Sequence, residues 1–531
     1  MDCIPQGAFI PENLVEAARR AERHHWLGRA AAIRLRNFFT AAIVGMLGAT
    51  QVHAAASAER PNIVILLADD MGYGDVAIQN PESKIATPHI DQLAREGMRF
   101  TDAHSSSGIC TPSRYAMLTG RFHWRKFHNI VEGFGPSVFD ASELKLPEML
   151  RQQGYRTACI GKWHLGWDWN AIKRPGAVSQ PGIGYAPDAF DWAKRIPGGP
   201  IDQGFGYYFG DDVPNLPPYT WFENDHVLAA PTVALKVTGN PPEGKWETRP
   251  GPSVEGWDFF AVMPKLTEKA VDWITEQKGK TEPFFLYVPF TSPHAPIVPA
   301  SKFRGKSQAG GYGDYVVQTD DTVGRILRAI DQIGARENTI VIFTSDNGPE
   351  LYAYDRIHNF QHHSAGPLRG VKRDLWEGGH RIPMIVRWPG VVAGGKVSTD
   401  LVSQVDLMAT LAAAANYKLP AGQAIDSYDL SDVWRSRGPS PRDTIVHNTK
   451  KDGYALRHQQ WLLVAAKTGG VTKVPAWFDS ENRYAPNTRP GELYDLSQDV
   501  AERENLYSKR PEIVAELEAM LAKLRSKGQV R

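Results

Sequence analysis

The segment Asn62-Ile-Val-Ile-Leu-Leu-Ala68 constrains the fold more than any other stretch of the chain. It is apolar without alternation, so both of its faces must be covered, as in a strand inside a helix-flanked parallel sheet. Phe284-Phe-Leu-Tyr-Val288, Thr339-Ile-Val-Ile-Phe343 and Met384-Ile-Val386 read the same way. Helical patterns at Lys265–Glu276 and Tyr315–Ile333 lie between them. Strands alternating with helices predict an α/β fold on a large, mixed, mostly parallel sheet. The first run leads into Asp69-Asp70, the second into Thr291-Ser-Pro-His294 and the third into Ser345-Asp346-Asn347. Ligands of open α/β sheets bind outside the carboxyl ends of the strands. One polar strand end is ordinary turn chemistry; three together predict one shared site.

The rest of the chain narrows the class. Across 531 residues, 60 basic side chains face 59 acidic ones, which removes the electrostatic footprint of a nucleic-acid binder. Three cysteines cannot build a disulfide framework. Residues 166–256 are rich in Trp, Tyr, Pro and Gly with little periodicity, which predicts long loops over the sheet. After Pro439 a strand candidate at Tyr454–Ala465 and a terminal helix from Arg510 predict a smaller α+β domain. In that helix Ile513, Leu517, Met520, Leu521 and Leu524 keep helical spacing. The expected organisation is an extension over 1–57, a catalytic domain over 58–438 and a C-terminal subdomain over 439–531. The extension holds an apolar run at 38–49, preceded by Arg34 and Arg36 and followed by Val52-His53-Ala54. That pattern predicts an export signal and a periplasmic or secreted protein, with an uncleaved anchor as the alternative; the run is too short to span a bilayer.

The most specific stretch is Cys110-Thr-Pro-Ser-Arg114, followed by Leu118-Thr-Gly-Arg121. It resembles the signature of type I sulfatases at every defined position. Further blocks of that family's pattern follow the same order: Asp69-Asp70, Gly161-Lys-Trp-His-Leu-Gly166, His294 between prolines, Asp346-Asn-Gly348, Leu368-Arg-Gly-Val-Lys372 and Glu377-Gly-Gly379. Glu492-Leu-Tyr-Asp-Leu496 and Glu504-Asn-Leu506 resemble the family's ending. The resemblance covers about residues 60–525 and implies an alkaline-phosphatase-like fold and hydrolysis of a sulfate monoester.

It also implies roles. Cys110 would be oxidised by a maturation enzyme to formylglycine, whose hydrated aldehyde attacks sulfur and afterwards expels sulfate by collapse of the hemiacetal. Asp69, Asp70, Asp346 and Asn347 offer only oxygen ligands, which suits Ca²⁺, or less well Mg²⁺, and argues against zinc. With the modified Cys110 they form the implied metal site. Arg114 takes the family's place for holding the aldehyde hydrate, and Lys162 and Lys372 the places of the lysines that grip sulfate oxygens. His164 matches the residue that assists hemiacetal collapse, and His294 the acid that protonates the leaving oxygen.

Other residues leave alternatives open. His358, His362 and His363 either line the substrate mouth or lie in a solvated loop; a second metal site ranks behind both, because no spacing marks it. Trp163, Trp167, Trp169 and Trp221 suit core and inter-loop packing better than stacking on a sugar or aryl ring. Cys159 reads as core, and Cys3 belongs to the leader. The implied substrate is an aryl sulfate or a sulfated carbohydrate. Two rival functions remain at this level: a phosphate or phosphonate ester hydrolase of the same superfamily, and a non-catalytic protein that binds sulfated glycans.

Overall fold

In the computed structural model, residues 60–526 are described; the 38–49 run and Cys3 lie outside them. Ten strands form one sheet, ordered Lys396–Ser398, Met98–Phe100, Met384–Arg387, Thr339–Ser345, Asn62–Ala68, Phe284–Pro289, Arg156–Lys162, Tyr207–Asp212, Phe222–Glu223 and His226–Val227. The five strands from Thr339–Ser345 to Tyr207–Asp212 run parallel, and Met384–Arg387 is antiparallel to its neighbour. The unbroken apolar runs have the cause expected of them. Ile63, Ile65 and Leu67 enter one hydrophobic cluster, whereas Val64, Leu66 and Ala68 enter another on the opposite face. Helices Val262–Thr275 and Gly310–Gln332 cover the second face. The latter begins five residues before the predicted start, because Gly310 at φ 66° turns the chain into it.

A separate antiparallel sheet joins Thr444–Lys450, Gly453–His458, Trp461–Val464 and Glu492–Asp495. The single strand expected at Tyr454–Ala465 is thus a hairpin. Gln459 at φ 51° turns the chain between its halves, a left-handed conformation that hydrophobicity does not mark. The terminal helix Pro511–Ser526 buries Val514, Leu517, Leu521 and Leu524 in the same cluster as Leu456, Leu463 and Leu493.

Three strand ends therefore lie side by side. Thr339–Ser345, Asn62–Ala68 and Phe284–Pro289 are neighbours in register, so Asp346-Asn347, Asp69-Asp70 and His294 emerge at one edge of the sheet. Lys162 ends the next strand over, where the register shifts between Ile160 and Lys162 at Gly161.

Candidate active site

Cys110 opens the helix Cys110–Thr119, all ten residues of which are buried. A helix N-terminus carries unpaired backbone N–H groups and a positive dipole end, so this placement favours an anion at residue 110. Cys110 Sγ lies 3.6 Å from Asp69 Oδ1 and 4.0 Å from Asp70 Oδ1. Burial, with Asp346 beside it, pushes the Cys110 thiol well above its ordinary range. An unmodified thiol here stays protonated and is a poor nucleophile.

The acids are fixed by short contacts. Asp70 N–H donates to Asp346 Oδ1 at 3.1 Å, and Asn347 Nδ2 donates to Asp70 Oδ1 at 2.7 Å. Arg114 Nε and Nη2 donate to Asp346 Oδ2 at 3.1 and 2.9 Å, and Nη1 donates to the Lys162 carbonyl at 3.0 Å. Lys162 Nζ stands 2.7 Å from Asp69 Oδ2, and Lys372 Nζ 2.8 Å from Asp70 Oδ2. Burial opposes the charge on Lys372, but Asp70 outweighs it and holds the ammonium well above its usual range. Asn347 Oδ1 is buried with no hydrogen-bond partner. A free carbonyl oxygen among carboxylates is what a hard cation needs, so Asp69, Asp70, Asp346 and Asn347 fit a calcium- or magnesium-type ion.

The two histidines differ in their free nitrogens. His164 Nε2 faces the Val131 carbonyl at 3.0 Å, which fixes the proton there and leaves Nδ1 as a buried, unpartnered lone pair. Burial, then Lys162, holds His164 well below its ordinary range. His294 donates from Nδ1 to the Ala295 carbonyl, and its Nε2 lies 3.6 Å from Asp70 Oδ2. Burial lowers His294 to about 4, against the pull of Asp70.

Four of the fourteen non-glycine residues with left-handed backbone among the described residues lie at this place. Asp70 (φ 62°), His164 (56°), Asp212 (59°) and Arg373 (78°) are non-glycine residues in the left-handed region. Such strain costs about 1–3 kcal/mol per residue and collects at functional sites.

All the sequence-predicted site residues fall in this one cluster, joined by three that the motifs do not mark. Glu350 binds Arg373 through two contacts of 2.6 and 2.7 Å and lies 3.7 Å from Lys372 Nζ. Asp211, at the end of Tyr207–Asp212, is buried with both carboxylate oxygens unpartnered, and burial raises it to about 7. The doubled Asp211-Asp212 after a strand was the available signal. Asp69, Asp70, Asp346 and Glu350 balance Arg114, Lys162, Lys372 and Arg373. A dication would leave the cluster at a net positive charge suited to an anionic ester.

The weaker candidates separate. His362 is buried, with Nε2 2.8 Å from Asp75, while His358 lies against Trp477 with ring centroids 5.4 Å apart. Trp163, Trp167 and Trp169 are buried in the core, as is Cys159. Among the described residues, no helix is long and apolar enough to cross a membrane.

A family model described as Sulfatase matches residues 61–417. An N-acetylgalactosamine-6-O-sulfatase of Bacteroides thetaiotaomicron is 32% identical over 508 residues, 89% of this chain and 94% of that protein. Human arylsulfatase A is 33% identical over 466 residues, covering 85% of this chain and 84% of its own. A solved B. thetaiotaomicron structure, from work on the metabolism of multiple glycosaminoglycans, superposes with a TM-score of 0.74 at 30% identity. It covers 88% of this chain and 100% of that one.

Proposed function

Starting from the chain's membership of the sulfatase family and its activity as a sulfate ester hydrolase, we propose that it removes the 6-O-sulfate of an N-acetylgalactosamine-type sugar in a glycosaminoglycan. The observation that carries the substrate is the relative that names this sugar and aligns along nearly the whole of both chains. Cys110 is matured to formylglycine, whose hydrate supplies the nucleophilic oxygen and a route for expelling sulfate. That oxygen would take the place of Cys110 Sγ. A Ca²⁺ ion held by Asp69, Asp70, Asp346 and Asn347, with the hydrate at residue 110, would draw charge from the sulfate oxygens.

The chain's own residues do the rest. Arg114, paired with Asp346 and pinned to the Lys162 carbonyl, orients the hydrate. Lys162 and Lys372 hold the sulfate oxygens from two sides, where negative charge shifts as the S–O bond breaks. The free Nδ1 lone pair of His164 takes the hydrate proton that must leave when sulfate is expelled. His294 protonates the departing sugar oxygen from Nε2, since Nδ1 is engaged by Ala295. The sulfate anion compensates for the burial that otherwise keeps this imidazole neutral. Export on the 38–49 segment belongs to the same reading, and the amino-terminal sequence of the mature protein tests it.

The decisive experiment compares sulfate release by full-length protein, made alongside a maturation enzyme, on 6-sulfated and 4-sulfated N-acetylgalactosamine disaccharides and on nitrophenyl sulfate. Release from the 6-sulfated sugar, absent after chelation and restored by Ca²⁺, is expected. Preference for the 4-sulfate would overturn the substrate, and full activity after chelation would overturn the metal. His294→Asn is expected to slow the sugar sulfate more than nitrophenyl sulfate, whose leaving group needs no proton.

A further inference from the structure

Behind the nucleophile lies a buried histidine pair that the proposed chemistry does not use. His104 Nε2 is 2.8 Å from Asp102 Oδ1, His104 Nδ1 is 3.0 Å from His447 Nε2, and His447 Nδ1 is 3.0 Å from the Leu375 carbonyl. Both rings are fully buried. We propose that His104 and His447 share one proton beyond the two that neutral imidazoles carry, and that this proton latches the nucleophile loop to the lysine loop.

The argument is a count. The row contains three hydrogen bonds, and each needs one proton. Its ends, a carboxylate and a carbonyl, can only accept. Two neutral imidazoles bring two protons, so the row is one short in either tautomer. A single extra proton completes it. Burial works against ionisation of Asp102, but Arg381, the His104 hydrogen bond and Arg457 outweigh it, so the carboxyl stays far below its ordinary range. Asp102 therefore does not supply the proton. Burial and the charge of His104 lower His447 to about 4, so a second extra proton does not enter near neutral pH.

The surrounding charges cancel one another before that proton is added. Arg457 reaches Asp102 at 2.9 Å and Glu377 at 3.3 Å, and Arg381 reaches Asp102 at 2.5 Å and Glu377 at 3.6 Å. Two carboxylates thus offset two guanidiniums, and both carboxylates face His104 Nε2, Asp102 Oδ1 at 2.8 Å and Glu377 Oε2 at 3.7 Å. His380 stacks on His447 with centroids 4.1 Å apart, and burial keeps it neutral. Glu502, which accepts the Glu377 N–H at 2.9 Å, is raised well above its usual range by burial and stays protonated. His123, which binds Asn448 beside His447, is lowered to about 3 by burial. A dication between the imidazoles would add two charges against Arg381 and Arg457.

The row ties together three distant parts of the chain. His104 lies six residues before Cys110, and Leu375 three residues after Lys372. His447 belongs to the C-terminal sheet. The two loops also meet directly, where Arg373 N–H donates to the Gly108 carbonyl at 2.8 Å. His104 and His447 are thus positioning residues. The proton count stands on the hydrogen bonds alone; its effect on turnover rests on the proposed role of Cys110.

Asp102→Asn tests the count, because an amide at this position donates to His104 and lets two neutral imidazoles finish the row. The variant loses one negative charge and one proton together, so the net charge is unchanged. Folded wild type holds one more proton than the unfolded chain above the ordinary histidine range, so its stability falls as pH rises. Between pH 7 and 9 the wild-type unfolding constant is expected to climb about tenfold more per pH unit than that of Asp102→Asn. Equal slopes would overturn the proposal. In wild type, ¹⁵N-histidine spectra at pH 7.5 should show one buried imidazole protonated on both nitrogens, missing in His104→Gln; only neutral buried imidazoles would overturn it whether or not the Asp102→Asn variant folds. Added Zn²⁺ that stabilises wild type but not His447→Gln would replace the proton by a cation and also overturn it.

Discussion

Replacing Asp211 by Asn should stabilise the protein by an amount that depends on pH. Asp211 is 2% exposed, neither carboxylate oxygen has a hydrogen-bond partner, and burial raises it from 3.8 to about 7. In the unfolded chain the same carboxyl ionises near 3.8. A carboxyl raised on folding leaves stability intact below the unfolded value and removes it as pH climbs towards the folded value. The loss is complete above about pH 7. The gap of about three pH units corresponds to about 4 kcal/mol. Asn is neutral in both states, so it escapes that penalty at every pH; its own amide desolvation is a constant offset. Urea unfolding of wild type and Asp211→Asn at pH 4.5, 6 and 8 measures the difference. It should grow towards about 4 kcal/mol at pH 8. A difference that stays flat with pH would refute the reasoning, because it would mean that Asp211 finds a partner for its charge.

Three further outcomes are expected. Gly161→Ala should cost about 3 kcal/mol or more in urea unfolding, because a Cβ there would lie 1.9 Å from the Pro289 carbonyl oxygen at a φ of 139°; a loss below about 1 kcal/mol would show that the strand shifts freely. Lys372→Met should lower kcat/KM for a sulfate ester by about 10²–10³, since a buried cation beside Asp70 is lost; a loss under tenfold would argue against sulfate contact. Trp376→Phe removes the 2.7 Å hydrogen bond to Glu492 Oε2 and should lower stability by about 1–3 kcal/mol, read from the urea midpoint. No change would mean that water replaces the indole.

What the sequence disclosed follows from how local each signal is. The strands around residues 62, 284 and 339 are legible because burial on both faces leaves them unbroken in apolar character. Their acidic and histidine ends point to one site because such strands run parallel. Cys110 and Arg114 share one helix turn, so a short motif displays both. Glu350 carries no such mark. Its importance arises only when it meets Lys372 and Arg373, more than twenty residues later. Asp211 sits in a Trp- and Tyr-rich stretch where periodicity fails, because packing there is ring against ring, as between Trp167 and Phe222 with centroids 5.1 Å apart. The contact between His104 and His447 spans 343 residues, and a lone histidine gives no sign of its partner.

That separation also sets an order of events during synthesis. A ribosome adding about 5–20 residues per second makes His447 roughly 17–70 s after His104. Until then the segment 105–109 lacks its tie to the C-terminal sheet, and the helix that buries Cys110 is held by the earlier part of the chain alone. In the finished fold residue 110 is 2% exposed and beyond the reach of another protein. Any enzyme that alters the Cys110 side chain must therefore act before the segments carrying Asp69, Asp70, Asp346 and Lys372 have closed around it. Asp346 and Lys372 are made more than 230 residues after Cys110, which gives that side chain a period of access that the folded molecule no longer offers.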